Sequence, residues 1–149
     1  MLHCIRTNSK NSDFQKLVAE LDAFLKIVDG SEHSFYSQYN KIDTLKYAIL
    51  AYENEMAVGC GAIRKFSEDT AEVKRMYVLP FHRGKGIANA VLFELEKWAS
   101  ELGYKRCILE TGHKQPEAIS LYRKSGFAVI PNYGQYGNVT NSICFEKML

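Results

Sequence analysis

The chain lacks most of the features that mark out the large specialised classes of protein. No apolar run approaches the roughly 20 residues that a membrane-spanning helix needs. The opening segment, Met1-Leu2-His3-Cys4-Ile5-Arg6, has no long apolar core of the kind a secretory leader carries. A cytoplasmic location, without a membrane partner, is the resulting expectation. The four cysteines, Cys4, Cys60, Cys107 and Cys144, are scattered through apolar contexts, and none forms a Cys-x-x-Cys pair. Closely spaced zinc ligands are therefore absent, no metal is expected, and buried free thiols fit a chain with this much core better than a disulfide framework. A strong charge imbalance is missing too: 19 Lys and Arg stand against 17 Asp and Glu, for a net charge of +2. With no basic stripe and no interleaved aromatics, a nucleic-acid partner is not expected. Repeats, low-complexity tracts and linkers are absent as well. Residues 1–149, with 46% hydrophobic content, are accordingly read as a single domain with one ordinary core.

What is present is a run of well-spaced elements. His3 to Thr7 reads as a first strand. Ser12-Asp13-Phe14-Gln15 has the spacing of a capping box. After it Phe14, Leu17, Val18, Leu21, Phe24, Leu25 and Val28 recur at helical spacing up to Gly30. Ser31 to Thr44 is polar and tyrosine-rich, with room for a short helix. Tyr47 to Tyr52 and Met56 to Phe66 form a hairpin around Glu53-Asn54-Glu55, with Gly59 and Gly61 marking a bulge or a close neighbour. Ala71 to Leu79 is the next strand. Ile87, Val91, Leu92, Leu95, Trp98, Ala99 and Leu102 make a second helical stripe, closed by Gly103. Arg106 to Glu110 is a strand, Pro116 to Lys124 a helix, and Phe127 to Ile130 and Asn141 to Lys147 a final pair of strands. The order predicts an α/β (mixed α+β) sheet with helices on both faces, rather than a doubly wound nucleotide fold.

The most telling stretch is Arg83-Gly84-Lys85-Gly86-Ile87-Ala88, between a strand and a helix. A helix N-terminus offers unpaired N–H groups and the positive end of a dipole, and glycine lets the backbone approach a ligand closely. The turn thus suits a phosphate, or is simply a tight turn. It is not a P-loop, which needs Gly-x-x-x-x-Gly-Lys-Ser/Thr. It is not a dinucleotide fingerprint either, because Asn89 stands where a third glycine belongs.

The same hexapeptide matches the Arg/Gln-x-x-Gly-x-Gly/Ala signature of the GNAT superfamily of acetyl-coenzyme A-dependent N-acetyltransferases. Lys74-Arg75-Met76-Tyr77-Val78-Leu79-Pro80 resembles the strand that precedes that signature. Glu117-Ala118-Ile119-Ser120-Leu121-Tyr122-Arg123-Lys124-Ser125-Gly126-Phe127 resembles the second hallmark, Ala-Ile-x-Leu-Tyr-x-x-x-Gly-Phe. Gln115 departs from the asparagine that many members carry, but keeps a side-chain amide. The resemblance covers essentially the whole chain. It implies six to seven mostly antiparallel strands with a central, splayed parallel pair.

It also implies roles. Acetyl-coenzyme A (acetyl-CoA) would be the cosubstrate, its pyrophosphate on the N–H groups of Gly84, Lys85, Gly86, Ile87 and Ala88. Arg83 would shape the loop or pair charge. The pantetheine arm would lie strand-like along Met76, Tyr77 and Val78, and a bulge near Arg75–Met76 would aim an N–H at the thioester carbonyl. Tyr122 holds the family's general-acid position, or is a core tyrosine. A lysine-like amine with a pKa near 10.4 is almost wholly charged at pH 7, so a base is useful. Glu72 is the first candidate, or else a solvated strand residue, and Glu110 is the second. His33, Tyr36, Tyr39, Tyr133 and Tyr136 would line the acceptor site, or pack. His82 and Lys114 would lie near the phosphates, and His113 near the acceptor, unless they are merely exposed. The expected partner is a primary amine, on a small molecule or a peptide. The alternative is an inactive module of this fold that binds acyl-CoA as a sensor. An antiparallel edge from the last strands could pair two chains as a homodimer.

Overall fold

In a computed structural model, residues 1–29 and 45–149 are described. His33, Tyr36 and Tyr39, and the short helix expected between Ser31 and Thr44, lie outside them. The elements run β1 (Leu2–Thr7), α1 (Ser12–Asp29), β2 (Tyr47–Glu53), β3 (Met56–Ser67), β4 (Thr70–Val78), α2 (Ile87–Glu101), β5 (Arg106–Gly112), α3 (Pro116–Lys124), β6 (Ala128–Ile130) and β7 (Ser142–Met148). Short 3-10 turns cover Pro80–His82 and Gly134–Tyr136. The strands form one seven-stranded sheet in the order β1-β2-β3-β4-β5-β7-β6, antiparallel except for β4 and β5. The expected mixed sheet and its parallel pair are both present. Among the described residues no helix is long and apolar enough to cross a membrane.

Strand alternation sends two apolar faces to opposite sides of the sheet. Ala48, Leu50, Cys60 and Ala62 meet Phe14, Leu17, Val18 and Leu21 of α1. Ile49, Ala51, Ile63, Ala71, Val73 and Leu109 meet Ile87, Val91, Leu92 and Leu95 of α2, together with Tyr122 of α3. Each fully buried leucine, valine or phenylalanine contributes about 1.5–3 kcal/mol, so the two stripes that define the helices also hold them to the sheet. Cys60, Cys107 and Cys144 are buried free thiols and Cys4 is half-buried. Burial pushes the Cys60 thiol up to about 12.

The cap of α1 differs from the expected capping box. Asn11, not Ser12, takes it: its Oδ1 accepts from the N–H groups of Asp13 at 2.8 Å and Phe14 at 3.1 Å. Gln15 reaches instead to the Ser9 carbonyl at 2.9 Å. Asparagine is as good an N-cap as serine, and it starts the helix so that Phe14 falls on the inward face.

Two irregularities shape the centre of the sheet. Opposite Gly61 the β3–β4 register slips between Cys60 and Ala62, leaving an extra residue at Arg75–Met76. Arg75 takes a left-handed φ of 62°, which L-residues adopt at a cost. Its guanidinium is 4% exposed and donates at 2.8 Å to Asp22 of α1, which ties the bulge to the helix above. Gly61 is required here, because a Cβ would stand 2.5 Å from Met76 Sδ and 2.9 Å from both Leu95 Cδ1 and Val91 Cγ1. The second irregularity is a splay. β4 pairs with β5 only through Thr70–Arg106, Ala71–Cys107 and Glu72–Ile108. Beyond these, β5 stays with β7 as far as Gly112, and β4 goes on to Val78 paired only with β3.

Candidate active site

The gap left by the splay is the site. A groove of about 500 Å³ runs from the glycine turn down the free side of β4, lined by Met76, Tyr77, Val78, Arg83, Gly84, Gly86, Ile87 and Ala88 on one side and by Lys114, Gln115, Ala118 and Tyr122 on the other. At its inner end a smaller cavity of about 110 Å³ is lined by Lys74, Arg75, Met76, Glu110, Gln115 and Tyr122. Leu21, Met76, Gln115, Ala118 and Tyr122 border both spaces, so Tyr122 stands at the junction.

The glycine turn is built as an anion cradle requires. Gly84 and Gly86 have φ of 78° and 82°, and a Cβ at either would meet nothing within 4 Å, so the space in front of them is open. Gly86 is the N-cap of α2 and no side chain caps it. The first N–H groups of such a helix point outward with the positive end of the dipole. Arg83 shapes the loop. Its Nε donates to the Val78 carbonyl at 2.9 Å, and its guanidinium lies over the rings of Phe24 and Tyr77 at 5.4 and 5.5 Å. Lys85 points away to Glu53 at 3.4 Å. His82 and Lys114 line the groove. Asn89 is not a failed glycine: its Oδ1 accepts from Ser125 Oγ at 3.1 Å and so links α2 to the end of α3.

The two candidate carboxylates are placed very differently. Glu72 is not a solvated strand residue, being 1% exposed. One oxygen accepts from Arg64 Nε at 2.9 Å and the other from the Tyr133 hydroxyl at 2.7 Å. It is not among the residues lining either cavity, whereas Glu110 is. Tyr133 and Tyr136 pack together edge to face at 5.7 Å on the same side, and neither is among the lining residues. Burial, and then Glu72, push the Tyr133 phenol well above the ordinary tyrosine value. Tyr122 is buried between Phe127 and Phe145. Burial first, and Glu110 second, raise its phenol far enough that it keeps its proton throughout the neutral range. His113 is exposed, its Nδ1 3.2 Å from the Asn141 carbonyl. Among the described residues no three His, Cys, Asp or Glu side chains converge as metal ligands do.

Sequence reasoning missed Arg64, Lys74 and Phe24. Arg64 lies opposite Glu72 in the β3–β4 register, a pairing set by a further irregularity between Lys65 and Ser67, near the turn. Lys74 follows Glu72 by two residues, so strand alternation alone puts it on the same face. Phe24 belongs to the α1 stripe, and it lines the groove against Tyr77 and beneath the Arg83 guanidinium.

Comparison with known proteins agrees with this geometry. Residues 14–127 match the model of the acetyltransferase (GNAT) family. The IAA acetyltransferase of Azospirillum brasilense is 36% identical over 137 residues, which span 90% of this chain and 89% of that protein. A structure from Klebsiella pneumoniae, described as an acyl-CoA N-acyltransferase, superposes with a TM-score of 0.84 at 30% identity, covering 100% of this chain and 98% of that one. A GNAT acetyltransferase of Elizabethkingia anophelis, solved with acetyl-CoA bound, shares the fold at 20% identity and a TM-score of 0.72, over 99% and 98% of the two chains. With a matching family model, a close full-length relative and a splayed sheet of the same topology, this chain belongs to the GNAT family and is an acetyltransferase.

Proposed function

We propose that the protein transfers the acetyl group of acetyl-CoA to a primary amine by direct attack of the amine on the thioester. One observation carries this reading: an uncapped helix N-terminus behind two open glycines leads along an unpaired strand edge to a cavity that holds both a carboxylate and a protonated phenol. The N–H groups of Gly84, Lys85, Gly86, Ile87 and Ala88 hold the pyrophosphate. The backbone of Met76, Tyr77 and Val78 receives the pantetheine amides as a neighbouring strand would. The bulge at Arg75–Met76 takes the chain out of the β3 ladder and turns backbone N–H toward the carbonyl, where negative charge develops. Tyr122, protonated at neutral pH, donates to the departing sulfur.

Glu110 is the proton acceptor in this reading, directly or through a water. It lines the cavity, while both oxygens of Glu72 are engaged by Arg64 and Tyr133. Glu72 is then a brace, fixing the loop that carries Tyr133 against β4. Titration calorimetry with acetyl-CoA, followed by thiol release with a panel of amines, tests the proposal. Binding in the micromolar range and amine-dependent thiol release are expected. Binding without release from any amine would instead describe an acyl-CoA sensor, and no binding would refute the assignment of the turn.

A further inference from the structure

We infer that the acceptor is a small zwitterion, an amino acid with its amine and carboxylate close together, and that Lys74 and Glu110 recognise its two ends. The inference rests on the N-acetyltransferase reading above and narrows its acceptor. Glu72 is the last residue of β4 paired with β5, and its partner is Ile108. Side chains repeat on one face every two residues, so the next pair on that face is Lys74 and Glu110. At that point the strands have parted. Two side chains that would meet in a closed sheet line a cavity instead, and a cation on one strand faces an anion on the other.

Lys74 has no salt bridge among the described residues. The carboxylate two residues earlier, Glu72, is already bonded to Arg64 and Tyr133. The guanidinium of Arg75 is turned to Asp22. Removal from water pulls the Lys74 ammonium below the usual lysine range, with Glu72 and Glu110 opposing that pull and Arg64 and Arg75 adding to it. A partly desolvated ammonium is stabilised by an anion brought by the ligand. The amine at the other end of the same small molecule falls to Glu110, which takes its proton. Leu21 and Leu25 of α1 give an apolar wall for the rest of the acceptor. A diamine would set a second cation against Lys74 and Arg75. A peptide N-terminus carries a neutral amide in place of the α-carboxylate.

The test is thiol release from acetyl-CoA by the full chain, with the standard amino acids, their carboxamides and their decarboxylated amines. The inference expects kcat/KM for an accepted amino acid to exceed that of its carboxamide by about tenfold or more, the equivalent of one charge-assisted contact. Lys74→Met should raise KM for the amino acid and bring that ratio toward one, with Lys74→Arg restoring part of it. A thermal melt checks that the variants fold, and the ratio measured on the unmodified chain decides the matter if they do not. Equal or faster turnover of the carboxamide or the decarboxylated amine overturns the inference and leaves the acetyltransferase reading intact. Turnover of no amino acid, with acetyl-CoA still binding, also overturns it. Failure to bind acetyl-CoA would bring down the underlying reading instead.

Discussion

Replacing each of the two carboxylates, Glu72 and Glu110, by its isosteric amide separates structural from chemical roles. Glu72 accepts two charge-assisted hydrogen bonds at 2.9 and 2.7 Å from a site that is 1% exposed. Such bonds are worth roughly 1.5–3 kcal/mol each and about twice a neutral one. Arg64 is 35% exposed at its side chain, so its share belongs at the low end. Glu72→Gln keeps the shape, but its single amide oxygen can accept only from Arg64, while its NH2 group makes the Tyr133 hydroxyl turn and accept instead; stability should fall by about 2 kcal/mol. For a domain of this size that is a fall in Tm of roughly 4–8 °C, readable in a thermal melt. The folded enzyme should lose less than about tenfold in kcat. Glu110→Gln should behave in the opposite way, with a small change in Tm and a loss of about 100-fold or more in kcat, the usual size of a general-base effect. Steady-state thiol release at saturating acetyl-CoA supplies the second readout. A Glu72→Gln protein with an unchanged melt and a 100-fold lower kcat would refute the reasoning, because Glu72 would then be the base despite its two bonds.

Four further outcomes can be measured. Tyr122→Phe should lower kcat by about 10–100-fold while the calorimetric Kd for coenzyme A stays within about twofold, and an unchanged kcat removes Tyr122 from the mechanism. Gly84→Ala combined with Gly86→Ala meets no steric contact but forces two residues into left-handed φ at about 1 kcal/mol each; the Kd for coenzyme A should rise at least tenfold, as the new methyls occupy the anion's approach. Gly61→Ala should destabilise by about 1–3 kcal/mol through overpacking against Met76, Leu95 and Val91, seen as a lower urea midpoint at constant slope. The phenols of Tyr122, Tyr133 and Tyr136 are held above the ordinary value of 10 in the folded chain. The folded state therefore keeps protons that the unfolded state releases, so stability should be full below pH 10 and decline as the pH rises beyond it; urea midpoints that do not fall between about pH 9 and 11 would contradict this.

The sequence is most informative where a pattern is local and periodic. The stripes Phe14–Val28 and Ile87–Leu102 name their own helices, since apolar side chains at a 3.6-residue period gather on one face only when the chain is helical. The short apolar run Tyr47–Tyr52 and the turn at Glu53–Glu55 name the first hairpin. The glycine turn and the Ala118–Tyr122 motif are equally readable, because φ above zero and an inward tyrosine each demand a particular residue. What stays hidden depends on register between distant strands. That Glu72 is tied to Arg64 and Tyr133 follows only once the irregularity between Lys65 and Ser67 and the path of residues 131–141 are known. Asn11 escapes notice because Ser12 and Gln15 have the spacing of a capping box, and only geometry tells which of two adjacent polar residues reaches back to the N–H groups.

The early parting of β4 and β5 has one more consequence. Exposed strand edges invite other chains to pair with them, and proteins usually cover or charge them. This sheet keeps an open edge in its middle, from Val73 to Val78, rather than at its rim. Helices α1 and α3 stand over it, through Leu21 and Phe24 on one side and Ala118 and Tyr122 on the other. An edge that would elsewhere be an aggregation hazard is thus flanked by helices on both faces, where a foreign strand, with side chains projecting to both, would meet them.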